Sequence, residues 1–64
     1  MRLKELRTAR KLSQKQLADI IGTTARAISF YETGLREPNI KTLIALADFF
    51  EVSLDFLTGR SDDH

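Results

Sequence analysis

A chain of 64 residues, 42% hydrophobic and 30% charged, suits one small folded domain and has no room for a second core. It contains no cysteine, which excludes disulfides and thiolate metal sites, and its single histidine is the last residue, His64. No apolar run approaches the roughly 20 residues that span a bilayer, and the N-terminus opens on alternating charge rather than an apolar leader. The expected setting is therefore the cytoplasm, with no membrane partner.

Net charge is only +1, but it is unevenly spread. Residues 1–26 hold seven basic side chains against two acidic ones, and residues 27–64 hold three basic against seven acidic. A chain polarised in this way can orient on a polyanion. Two solvated helical faces of unequal charge would give the same counts, so the choice falls to the motifs.

In chain order, Leu3, Leu6 and Ala9 recur at helical spacing, with Arg and Lys on the other face. Leu12-Ser13 breaks the pattern. Ser13 is a good N-cap, Gln16 stands where a capping box needs it, and Leu12 and Leu17 form a hydrophobic staple. These predict a second helix from about Gln14 to Ile21, burying Leu17, Ala18 and either Ile20 or Ile21. Gly22 stops it. Thr24 then caps a third helix from Ala25 to about Thr33, with Ile28 and Tyr31 on one face and Arg26, Ser29, Phe30 and Thr33 largely on the other.

Gly34 closes that helix, and Leu35 to Pro38 reads as a loop because proline disfavours helix in the residue before it. Asn39 caps a fourth helix that carries Ile40, Leu43, Ile44, Ala47 and Phe50. Val52-Ser53 repeats the staple and cap, Val52 facing Leu57, for a short last helix from Leu54 to about Thr58. Gly59 ends it. The expected fold is all-α, five short helices on one core. The domain covers residues 1–59, and residues 60–64 form a flexible tail or the start of a linker.

Residues 14–33 are the most informative. Two short helices separated by a glycine and two threonines match a helix-turn-helix, whose tight turn lets the second helix project into a major groove. Ala18 allows the two backbones to approach, and Ile28 faces it.

Here the sequence resembles the Cro/CI (XRE-type) helix-turn-helix domains of the lambda-repressor-like fold. The matching stretches are residues 12–18 (LSQKQLA), Ile21-Gly22, residues 27–34 (AISFYETG), Arg36-Glu37-Pro38, Leu43, Leu46-Ala47 and residues 52–57 (VSLDFL). The resemblance runs from about Leu3 to Gly59. It implies a compact five-helix bundle that binds operator DNA as a homodimer and regulates transcription, most commonly as a repressor, in a nucleoid-associated setting.

Carried over by position, the resemblance implies base reading by Ala25, Arg26, Ser29 and Phe30. Arg26 is the strongest of these, because a guanidinium can pair bidentately with guanine; a plain phosphate contact is its alternative. Gln14, Lys15, Thr24 and Arg36 would hold phosphates. Arg7 and Glu32 match a structural ion pair between the first and third helices, either buried or on the surface. Phe30 and Leu35 depart from the family's polar or basic preference, and Ala25 and Ala27 give the third helix a start poor in hydrogen-bonding groups. Phe30 either touches a thymine methyl or packs against Leu35.

Catalysis finds no support: there is no cysteine nucleophile, internal histidine or phosphate-binding glycine loop. No cofactor, small-molecule ligand or metal is expected, Asp62, Asp63 and His64 being a terminal trio. The rival reading is a protein-interaction module that keeps the fold without specific DNA binding. A homodimer would place two copies on half-sites about 34 Å apart, with Phe49 and Phe56 as contact candidates or as plain core.

Overall fold

The computed structural model describes residues 1–60, which form α1 (Leu3–Ala9), α2 (Gln14–Ile21), α3 (Ala25–Thr33), α4 (Ile40–Phe50) and α5 (Leu54–Thr58). Among these residues there is no strand. Residues 61–64, including Asp62, Asp63 and His64, lie outside the described residues.

Each of the last four helices starts where a polar side chain takes up an otherwise unpaired backbone N–H. Ser13 Oγ accepts from Gln16 N, while Gln16 Oε1 accepts from Ser13 N, closing a capping box. Thr24 Oγ1 accepts from Ala27 N, Asn39 Oδ1 from Thr42 N, and Ser53 Oγ from Phe56 N. The first helix has no side-chain cap. Its start is tied to the other end of the chain instead: Arg2 N donates to Leu57 O (2.8 Å) and Arg2 Nε to Phe56 O (3.0 Å).

Every helix contributes to one core. Leu3 of α1, Leu17 and Ala18 of α2, Ile28 of α3, Leu46, Ala47 and Phe50 of α4, and Leu57 of α5 are buried together. Burying each of the larger side chains contributes about 1.5–3 kcal/mol. Leu6, Leu12, Ile21, Tyr31, Leu43, Phe49 and Val52 pack around this centre.

The apolar stripe of α4 differs from the sequence expectation. Ile40 and Ile44 are 64% and 46% exposed, while Leu46 is fully buried beside Ala47 and Phe50. The buried face is therefore Leu43, Leu46, Ala47 and Phe50. That face packs against α2 as well as α5. On α2 the open choice resolves to Ile21; Ile20 is exposed.

Phe49 and Phe56 are both half-buried. The Phe49 ring meets Phe50 edge-on at 4.9 Å, with the Arg10 guanidinium 4.9 Å from its centre, and Arg2 lies 4.6 Å over Phe56. No helix among the described residues is long and apolar enough to cross a membrane.

Candidate nucleic-acid interface

Among the described residues, α2 and α3 share the most extensive helix–helix contact. Three residues connect them, and Gly22 makes that possible with φ +86°, a left-handed conformation that other residues adopt only with strain. A Cβ on Gly22 would meet nothing within 4 Å, so the requirement is backbone conformation and not space. Gly22 N and Thr23 N both donate to Ala18 O, which closes the end of α2. At the crossing, Ala18 is 1% exposed and Ile28 fully buried.

A polar cluster locks the pair to α1. Arg7 Nε donates to Glu32 Oε2 at 2.6 Å, Arg7 Nη2 to Glu32 Oε1 at 3.2 Å, and Arg7 Nη1 to Leu12 O at 2.7 Å. Gln14 Nε2 completes the set, donating to Glu32 Oε1 at 3.1 Å. The side chains of Arg7 and Glu32 are only 11% and 4% exposed. The hydrogen bonds that Arg7 donates to Glu32, working against desolvation and aided by the carboxylate's charge, raise the Arg7 pKa above its already high value. The cation is permanent, and the pair acts as a clamp across α1, α2 and α3.

Gln14 thus has two attachments available at once. One hydrogen of its amide goes to Glu32, and the second hydrogen and the oxygen remain for an outside partner. Lys15, beside it, is 73% exposed and reaches Asp19 Oδ1 at 2.8 Å within α2. An exposed pair of this kind is worth only about 0–1 kcal/mol, so an external anion can compete for the ammonium. Thr24 spends an oxygen lone pair on its capping bond and keeps its hydroxyl proton to donate.

On α3, Arg26 is exposed, and Ala25, Ser29 and Phe30 are half-buried. The structure brings Arg26, Phe30 and Arg36 together: both guanidinium carbons lie 5.4 Å from the Phe30 ring centre. Sequence reasoning missed this grouping. The i, i+4 spacing of Arg26 and Phe30 was a visible signal, but Arg36 arrives through a loop whose path periodicity does not fix. Leu35 itself is 77% exposed. No hydrogen bond or ion pair among the described residues joins this trio to Gln14 or Lys15; the link runs through the packing of α2 on α3 and the Gln14–Glu32 bond. No cluster of three or more potential metal ligands occurs among the described residues.

The family model described as Helix-turn-helix matches residues 3–57, from the first helix into the last. The chain belongs to the helix-turn-helix family. This helix-turn-helix domain is 47% identical over 62 residues to YqaE of Bacillus subtilis, an uncharacterized HTH-type transcriptional regulator, covering 95% of this chain and 53% of that protein. It is 45% identical over 56 residues to YonR of the same organism, a prophage-derived regulator of the same type, covering 88% of this chain and 52% of that one. RstR of Vibrio cholerae, a cryptic phage transcriptional repressor, is 39% identical over 59 residues, covering 92% and 53% of the two chains. The chain spans about half the length of the curated relatives it matches. No solved structure matches it with significance.

Proposed function

We propose that this helix-turn-helix domain binds double-stranded DNA sequence-specifically and regulates transcription, acting as a repressor by occupying a promoter. The observation that carries the reading is the clamped α2–α3 pair, which offers exposed Arg26 from the first turn of α3. In this reading α3 enters the major groove. Arg26, with Ala25 and Ser29 beside it and its guanidinium against the Phe30 ring, faces the base edges, and Gln14, Lys15, Thr24 and Arg36 hold phosphates on either side. The amides and positive end of α2, eight residues long and capped by Ser13, add to the phosphate site. Repression is supported by the similarity to RstR of Vibrio cholerae, a transcriptional repressor.

Residues 1–59 serve as the DNA-binding unit, and a second copy extends the reading to a palindrome. The Cα atoms span 27 Å along the longest axis. Side chains add about 3 Å at each end, bringing the length near the roughly 34 Å that separates half-sites one turn apart. Neighbouring copies would then touch. Phe49 and Phe56 are covered by arginines, so Ile40, Ile44 and Leu54, the exposed apolar side chains of α4 and α5, are the better contact candidates.

Backbone amide shifts on titration with duplex DNA test the docking. Changes centred on residues 14–15, 24–30 and 36 are the expected pattern. Changes centred on α4 and α5 would refute it. The exposed Leu35 and Ile40 favour one rival, a protein-interaction module, and for that rival DNA would move no amide.

A further inference from the structure

We infer that Phe30 is a positioning residue: its ring is a shared platform that sets Arg26 and Arg36 side by side, so that a base-reading and a phosphate-holding guanidinium meet DNA as one preorganised unit. The inference rests on the DNA-binding reading above and assigns Phe30 a role distinct from contact with a thymine methyl.

Three observations carry it. First, Phe30 belongs neither to the buried core nor to the apolar residues packed around it, so its half-buried ring is not spent on the core. Second, the ring collects two cations from different elements. Arg26 stands one turn earlier on α3, and Arg36 comes from the loop beyond Gly34, whose backbone returns to the helix where Arg36 N donates to Phe30 O at 3.4 Å. Each guanidinium carbon is 5.4 Å from the ring centre, so the two lie no farther apart than twice that distance. Third, among the described residues neither guanidinium has a carboxylate partner within ion-pair distance. Two like charges thus share one aromatic quadrupole, with their N–H groups left for an incoming anion.

The benefit to binding is entropic. A free arginine loses rotamer freedom when it docks, and a guanidinium already held in place loses less. Restricting two arginines on one ring also couples them, so removing the ring loosens both.

The test uses the intact chain and a DNA site selected by it from random duplexes. Phe30→Leu removes the ring's π face with little change in bulk, and Phe30→Tyr keeps that face. Phe30→Leu is expected to weaken binding about five- to twenty-fold, with the melting temperature unchanged and Phe30→Tyr close to the parent. In the Arg26→Ala, Arg36→Ala background the same Phe30→Leu change should cost less than about two-fold, because the ring then has nothing to hold. Equal affinity of Phe30→Leu and parent would overturn the inference. So would an undiminished loss in the double-alanine background, which would mean that the ring itself touches DNA. In the free protein, the side-chain protons of Arg26 and Arg36 should be shifted upfield by the ring current and relax in Phe30→Leu. Absence of that shift overturns the platform independently of DNA. A parent chain that shows the shift but selects no DNA site overturns the DNA-binding reading, and the positioning role falls with it.

Discussion

The guanidinium of Arg7 on α1 and the carboxylate of Glu32 on α3 meet through two hydrogen bonds, the shorter 2.6 Å, across 25 residues of sequence. The contact does more than join two helices. Glu32 also accepts from Gln14, and Arg7 donates to the carbonyl of Leu12, so one ion pair fixes the start of α2 relative to α3. The α2–α3 arrangement on which the proposed DNA contact rests depends on it.

Removing one partner strands the other in a site with little water. Arg7→Met is expected to lower the unfolding free energy by about 3 kcal/mol, the lower end of the range for breaking a buried pair. Glu32→Gln should cost a similar amount, and the double variant Arg7→Met, Glu32→Gln should recover part of the loss. Denaturant titration checks all three. Single variants within about 0.5 kcal/mol of the parent would place the pair among ordinary surface contacts.

Arg26 and Lys15 should fail differently. Arg26→Ala is expected to cost about 1–3 kcal/mol at the selected site and to relax the preference at one base pair. Lys15→Ala should weaken all sequences alike and reduce the slope of log affinity against log salt by about one. Competition titrations at two salt concentrations separate the two behaviours. A uniform loss for Arg26→Ala would make it a phosphate contact.

Two positions with positive φ give opposite expectations. Glu51 ends α4 with φ 57°, a conformation costly for a side chain with a Cβ. Glu51→Gly should therefore stabilise the domain by about 0.5–1 kcal/mol after allowance for the added freedom of the unfolded chain. Gly22→Ala should destabilise it by about 1 kcal/mol through backbone strain alone, since the new methyl meets no neighbour. Thermal or urea unfolding of both variants provides the comparison.

The helix boundaries were legible because the chain marks them chemically. Ser13, Thr24, Asn39 and Ser53 each cap the helix that follows, and the turn between α2 and α3 is set by Gly22. The stripe of α4 was less legible. Ile40 and Ile44 satisfy helical spacing as well as Leu46 does, and only the packing of α2 and α5 decides which side is covered. At the candidate interface, helical spacing put Arg26 and Phe30 on the outer face of α3 and the family resemblance gave them a role, but the approach of Arg36 depends on a loop return and Gln14's bond to Glu32 on helix crossing. Both are tertiary facts.

Ile44 distinguishes fold from assembly. It is nearly half exposed, so Ile44→Lys should change monomer stability by no more than about 0.5 kcal/mol. If copies meet through this face, the same change should abolish cooperative occupation of a two-half-site duplex. Sedimentation with and without DNA reads this directly; unchanged cooperativity would move the contact elsewhere.

The most direct test of DNA recognition is selection of binding sites from random duplex DNA, followed by titration of the enriched sequence at two salt concentrations. The expected result is an enriched palindrome with half-sites one helical turn apart, bound far more tightly than random duplex at both salts. Failure to enrich any sequence, with weak binding that salt removes entirely, would contradict sequence-specific recognition by α3.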